Sequence, residues 1–219
     1  MLSEYLETRR FDHSEILVVD DGSRDGTASL VREFSRNSPF VRLLANPVNH
    51  GKGHAVRQGL REAQCEWVLF TDADLSTPID DLSRLETAIL DSGADGALGS
   101  RALNRKLIGT HQPLWREFSG RVFNLAMRLV TGLPYKDTQC GFKLFRRDVA
   151  QAVAARQILV GFGFDVEILF IARRLGYKIQ EVAVRWNNAE GTKVSLWNGL
   201  AAFVDPVKVR WNALRGRYQ

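Results

Sequence analysis

Two acidic clusters carry the clearest chemistry in this 219-residue chain: Asp20-Asp21 within ILVVDDGSRDGT, and Asp72-Ala73-Asp74 within VLFTDADLSTP. Each follows an apolar run of strand length, and side chains at the C-terminal end of a parallel strand point into the crevice where ligands bind. A D-x-D turn there lets two carboxylates face one hard divalent cation, Mg²⁺ or Mn²⁺, which would neutralise a diphosphate. The second cluster also suits a helix start, because Asp74, Ser76 and Thr77 precede Pro78. A calcium loop is excluded for the first. Asp21, Ser23, Asp25 and Gly26 match its opening positions, but Arg32 stands where the bidentate Glu is required. Asp25 instead suits a cap on the helix that follows.

Gly51-Lys52-Gly53 offers a backbone turn with a cation suited to a phosphate or a base. It is not a Walker loop, since Gly53 stands where Ser or Thr is needed and the preceding glycine is absent. His50 and His54 have the spacing of a zinc pair but no Glu between them as in HExxH.

The elements that must hold these residues alternate. Periodicity predicts strands over 15–19, 41–45, 67–71 and 96–99, with helices over 28–37, 55–63 and 78–90 between them. That order argues for a parallel sheet covered by helices. Further on, it predicts a helix over 115–130 and an edge strand at Phe142-Lys143-Leu144-Phe145. Helices over 148–155 and 165–175 and a strand over 178–184 complete it. The length and the 45% hydrophobic, 25% charged composition suit one α/β domain. No apolar run reaches bilayer length, and MLSEYLETRR lacks a signal-peptide pattern, so a cytoplasmic location is expected. Cys65 and Cys140 are isolated and are expected to be reduced.

Charge is divided along the chain. Residues 1–100 hold 10 basic and 17 acidic residues, whereas 101–219 hold 20 and 8, so one half suits a cation and the other an anion. Nucleic acid is not expected, because the basic residues lie scattered among helical apolar positions. The tail places Trp197, Leu200, Phe203, Val204, Val207 and Trp211 on one helical face near Lys208, Arg210, Arg215 and Arg217. Such a helix either packs on the domain or lies at a membrane surface.

In order along the chain, VVDDGSRDGT, NHGKGHAVRQGL, VLFTDADLSTP, GSR, DTQCGFKLF and GFDVEILFIARRLGYKIQEVAVRW closely resemble family 2 glycosyltransferases of the GT-A fold. Among these the chain is most similar to dolichyl-phosphate β-glucosyltransferases and, a little less, to polyprenyl-phosphate mannosyltransferases. The resemblance implies an α/β GT-A domain over 1–195, with a Rossmann-like, mostly parallel sheet and helices on both faces, and a basic amphipathic helix over 196–219. It implies a nucleotide-sugar donor, UDP-glucose or GDP-mannose, a polyprenyl phosphate acceptor, and a peripheral position on the cytosolic face of a membrane. Asp20 and Asp21 match carboxylates that hold the nucleoside. Asp72 and Asp74 match the metal-diphosphate motif, and Asp74 is counted among the catalytic residues. Arg101 matches a residue that approaches the phosphates from the acceptor side, Arg116 or Arg121 suits the lipid phosphate, and Glu190-Gly191-Thr192-Lys193 resembles a segment that closes over the donor. Ser76 departs from the mannosyltransferase pattern, where Gln supplies a third metal ligand.

An alcohol acceptor needs a general base, whereas a phosphomonoester, with a second pKa of about 6, is already anionic at neutral pH. A base is therefore optional for a lipid phosphate, and cations to hold it become the requirement. Asp137 is the best carboxylate if a base exists, capping of the following loop being its other use.

The family opens with an apolar strand and a helix before the strand that carries Asp20. MLSEYLETRR resembles only the last turns of that helix, so about 20–30 residues of the pattern, including the first strand, are missing. Two neighbouring strands with unpaired edges are the expected consequence. Hexose transfer to a polyprenyl phosphate, transfer to a hydroxyl acceptor, and inactive nucleotide binding are the three functions the sequence allows.

Overall fold

The computed structural model describes residues 2–9, 11–110, 124–187 and 204–219. Helix α1 (Leu2–Arg9) leads to β1 (Ile16–Asp20), α2 (Thr27–Arg36), β2 (Val41–Ala45), α3 (Lys52–Glu62) and β3 (Trp67–Thr71). A 3₁₀ turn (Ile79–Asp81) opens α4 (Leu82–Ser92), and β4 (Gly96–Ser100) and the short β5 (Ile108–Thr110) follow. Helical residues 124–131 (α5) precede β6 (Phe142–Arg146), α6 (Arg147–Arg156), α7 (Phe164–Arg174), β7 (Ile179–Ala183), β8 (Trp186–Asn187) and α8 (Asp205–Leu214).

Strands β3, β6, β4 and β7 form one sheet in that order, β1 pairs with β2 in parallel, and β5 pairs with β8 in parallel. The α/β expectation holds, but the sheet is mixed: β6 runs antiparallel to both neighbours, while β4 and β7 are parallel. The edge position expected for Phe142–Phe145 is corrected, because β6 lies in the middle of the sheet. Its Lys143 made the strand look half-exposed, yet that side chain is 0% exposed and paired internally. An internal ion pair gives a two-faced buried strand the alternation of an edge.

Helices cover both faces. On one, Leu60 of α3, Met127 of α5, Val149 and Val153 of α6, Ile168 and Leu169 of α7 and Val209 of α8 pack against Leu98 and Phe145. On the other, Leu82, Leu85 and Ile89 of α4 pack against Ala97, Phe142 and Leu144, with Leu2 and Tyr5 of α1 alongside. Helix α7 is buried from Phe164 through Ala172, which explains its near-continuous apolar sequence. Buried Asp81 accepts from the Arg185 main chain and side chain at 2.6 and 2.7 Å, tying the start of α4 to the segment after β7.

Among the described residues, β1 bonds only to β2 and β3 only to β6, so each keeps one unpaired edge. Four apolar residues of β1, Ile16 to Val19, remain half-buried, and its one buried residue is Asp20.

Candidate active site

Both acidic clusters stand where expected, at the C-terminal ends of β1 and β3. The first is largely committed to holding loops. Asp20 Oδ1 accepts from the Ser23 amide at 3.1 Å, and its carbonyl accepts from the Asn46 amide at 2.8 Å. Asp21 accepts from Asn46 Nδ2 at 2.9 Å and from the amides of His50 and Gly51 at 2.9 and 2.6 Å. Burial alone would raise the Asp21 pKa, but these donors outweigh it and hold the carboxyl below its usual range. Asp21 thus fixes the glycine turn from which Lys52 projects. Asp25 accepts from the Thr27 amide at 3.0 Å just ahead of α2, whose N-cap residue is Gly26 rather than Asp25.

The glycine turn itself starts α3, three residues earlier than periodicity predicts. Gly51 has φ +105°, a conformation open to glycine, and its missing Cβ leaves room for the Val160 carbonyl. Gly53 donates to that same carbonyl at 2.8 Å. Lys52 reaches Asp72 Oδ1 at 2.7 Å and lies 5.8 and 5.9 Å from the Phe70 and Phe164 ring centres. Burial would lower its pKa, but Asp165, Asp72 and Asp74 together keep the ammonium above its ordinary value.

Asp72 is half-buried and Asp74 exposed. The turn that follows them puts Leu75 at φ +48°, the one non-glycine residue with positive φ among those described, and such a conformation persists where surroundings enforce it. Asp74 accepts from the Ser76 amide at 3.0 Å, and the Ser76 carbonyl accepts from Asn187 at 2.8 Å, so the turn is tied to β8. Gly141 passes against Asp72: its carbonyl accepts from the Asp72 amide at 3.0 Å, and a Cβ there would overlap the carboxylate. The glycine of DTQCGFKLF is therefore a space requirement of Asp72, visible only once β6 pairs with β3.

Among the described residues no three His, Cys, Asp or Glu side chains converge as a metal cage. Asp72 and Asp74 nonetheless fit a hard cation of the kind that binds one or two carboxylates and takes its other ligands from substrate phosphates and water. The Lys52 ammonium already on Asp72 is direct evidence that this carboxylate attracts positive charge.

Asp137 differs most from its expected part. Arg101 grips it bidentately, Nε to Oδ2 at 2.7 Å and Nη2 to Oδ1 at 2.8 Å, and the Arg101 amide adds a third bond at 3.0 Å. Glu181 in turn accepts from the Lys136 and Asp137 amides at 2.9 Å. Burial pushes the Asp137 carboxyl up, but Arg101 overcomes this and holds it below the usual range, opposite to what a general base needs. Arg101 stays half-buried beside the Trp186 ring, 5.5 Å from its centre. The ionised carboxylate stabilises the fold above the unfolded pKa of about 3.9, and that contribution is lost as pH falls through the lower folded value. Urea midpoints of the wild type and Asp137→Asn are therefore expected to converge between about pH 5 and pH 2. A constant gap across that range would show that the pair does not stabilise through ionisation.

Three buried groups escaped the sequence reading. Lys143 donates to Asp165 and, at 2.7 Å, to the Cys140 carbonyl. Glu167, 0% exposed, accepts from the amides of Ile158 and Leu159 and from the Tyr218 hydroxyl. The available signal was FDVE: two carboxylates inside an otherwise apolar helix. Cys140 and Cys65 are both free thiols, and burial pushes that of Cys140 up to about 12. Arg116, Arg121 and Lys193 lie outside the described residues.

Residues 3–154 match the family described as Glycosyl transferase family 2. The chain is 36% identical over 214 residues to a dolichyl-phosphate beta-glucosyltransferase of Trichomonas vaginalis, covering 94% of this chain and 65% of that protein. It is 33% identical to the human protein of that name, covering 94% and 66%, and 32% identical to the Saccharomyces cerevisiae one, covering 98% and 70%. The chain thus spans slightly less than two thirds of the length of the first of these relatives. In fold it is similar to mannosyl-3-phosphoglycerate synthase from Rubrobacter xylanophilus, with TM-score 0.65 and 19% identity over 98% of this chain and 68% of that one. It is also similar to glucosyl-3-phosphoglycerate synthase from Mycobacterium tuberculosis, solved with Mn²⁺, UDP-glucose and phosphoglyceric acid, with TM-score 0.57 and 21% identity over 88% and 68%. With six ordered motifs on a GT-A-like frame and a match over most of its length, the chain belongs to glycosyl transferase family 2.

Proposed function

We propose that the chain carries out inverting transfer of glucose from UDP-glucose to a dolichyl or other polyprenyl phosphate, assisted by Mg²⁺ or Mn²⁺. The observation that carries this reading is the meeting of Asp72, Asp74 and Lys52 at one strand end, a site of mixed charge suited to a metal-bound diphosphate. The named activity of the relatives supplies the sugar and the lipid.

In this reading Asp72 and Asp74 would hold the cation, which would supply Lewis-acid stabilisation to the departing nucleoside diphosphate. Lys52 exchanges Asp72 for a phosphate oxygen and adds its charge to the leaving group. Asp20 and Asp21 shape the nucleoside end, Asp21 by fixing the turn at His50 and Gly51. Asp137 acts as a positioning residue, holding the planar Arg101 guanidinium in one orientation while its own carboxylate is engaged. Arg116 or Arg121 is assigned to the lipid phosphate, and Lys193 to the segment that closes over the donor. An engaged, low-pKa Asp137 favours an acceptor that arrives already ionised, and a lipid phosphate meets that condition while an alcohol does not.

The test is a panel of labelled nucleotide sugars with a short polyprenyl phosphate, in Mn²⁺, Mg²⁺ or chelator. Labelled lipid from UDP-glucose, lost with chelator, is the expected result. Transfer to a hydroxyl-bearing glycan in place of the lipid phosphate would overturn the acceptor, and UDP binding without transfer to either would overturn the enzymatic reading.

A further inference from the structure

Asp72 is a carboxylate suited to a metal ion, yet the fold already supplies it with a cation. Lys52 Nζ lies 2.7 Å from its Oδ1. On the other side Gly141 presses against it: a Cβ on that glycine would overlap the carboxylate, and the Gly141 carbonyl accepts from the Asp72 amide at 3.0 Å. Pairing of β6 with β3 therefore pins Asp72, which has little room to turn away from the ammonium. Asp74 offers less by itself, since it is exposed and its Oδ1 accepts from the Ser76 amide at 3.0 Å. A hard cation with a single carboxylate and no substrate phosphate is held weakly.

Lys52 is anchored as well. Asp21 accepts from the Gly51 amide at 2.6 Å and the Val160 carbonyl accepts from the Gly53 amide at 2.8 Å, so the backbone is held on both sides of the lysine. Its ammonium lies 5.8 Å from the Phe70 ring centre, and Lys143 Nζ lies 5.6 Å from the same ring. Asp165, the other carboxylate acting on Lys52, already accepts from the buried Lys143. Among the described residues the direct ion pair of Lys52 is therefore with Asp72. Four charges alternate, Asp72, Lys52, Asp165 and Lys143, which gives each carboxylate one ammonium. An ammonium on a flexible four-carbon stem can move to a stronger anion, and a diphosphate is one. A metal ion arriving alone would have to strip a half-buried lysine of its carboxylate.

We infer that Lys52 is a built-in competitor of the divalent cation at Asp72, so that nucleotide and metal strengthen each other's binding: the diphosphate draws Lys52 away and frees the carboxylate. This competition rests on the assignment of Asp72 and Asp74 to a metal, and it adds the order of events, the cation entering with the nucleotide and not before it. The coupling is reciprocal. Whatever factor the nucleotide adds to metal affinity, the metal adds to nucleotide affinity. Departure of the diphosphate returns Lys52 to Asp72 and loosens the hold on the metal.

Mn²⁺ binding to the full chain, read from the loss of the free-ion paramagnetic resonance signal with and without UDP, tests this with no sugar, acceptor or transfer involved. Wild type is expected to bind Mn²⁺ weakly alone and about 100-fold more tightly with UDP, within the usual range of coupling between sites. Lys52→Met should bind Mn²⁺ alone about tenfold more tightly than wild type, and its gain from UDP should fall to about tenfold. Lys52→Arg keeps the charge and should resemble wild type. Adding Asp72→Asn to Lys52→Met should abolish the tighter binding, which locates it at that carboxylate. Lys52 is half-buried, and an unchanged melting temperature checks that folding is preserved. A Lys52→Met chain that binds Mn²⁺ alone no more tightly than wild type would overturn the proposal, as would equal tightening in Lys52→Arg. Absence of Mn²⁺ binding in every variant, with or without UDP, would overturn it together with the metal assignment. Coupled binding in a chain that transfers no sugar would refute the proposed reaction and leave this competition standing.

Discussion

Asp72→Asn is expected to reduce sugar transfer about 10²–10³-fold, the usual effect of removing one preorganised electrostatic group from a reaction centre. The substitution keeps the volume and the half-exposed position of the side chain, so the melting temperature should barely change. Two effects combine in the loss. One carboxylate no longer faces the cation, and Lys52, now without its partner at 2.7 Å, is no longer held over the Phe70 and Phe164 rings. Calorimetry with UDP and Mn²⁺ separates binding from turnover: the metal-dependent part of UDP binding should disappear together with activity. Unchanged metal dependence in the variant would remove Asp72 from the cation site and, with it, the central element of the mechanism.

The largest effect on stability is expected from Asp165→Ala. Lys143 is 0% exposed, and its ammonium is held by Asp165 and the Cys140 carbonyl. Taking away the carboxylate leaves a charge in the core with one neutral acceptor, which costs about 3–5 kcal/mol. For a chain of this size that corresponds to a melting temperature lower by roughly 6–20 °C. Replacing both partners by apolar residues, Lys143→Met with Asp165→Leu, should recover most of the loss, because the unpaired charge rather than the missing bond dominates it. If Asp165→Ala alone melts like wild type, Lys143 is not confined as described. Activity discriminates a second role: Asp165 also helps to keep Lys52 charged, so the double variant should regain stability without regaining full transfer.

Much of the site was legible in the sequence because its parts are local. A D-x-D after an apolar run and a glycine turn around a lysine are short-range patterns, and their placement at strand ends follows from chain direction alone. The sequence says least where a residue's role depends on a distant partner. Asp137 reads either as a base or as a loop cap, and Arg101, 36 positions earlier, occupies both its oxygens. Lys143 looked like the polar position of an edge strand, yet Asp165, 22 positions later, takes it into the core.

The sequence by itself determined the alternating α/β order and the acidic clusters at the ends of β1 and β3, since periodicity and chain direction settle both. Only the tertiary structure decided that β6 runs antiparallel through the middle of its sheet, that Gly141 makes room for Asp72, and that Asp137 serves Arg101. Strand order and ion pairing bring together residues tens of positions apart. Their free energy depends on burial and direction after the chain has closed on itself, and neither quantity exists along an extended sequence.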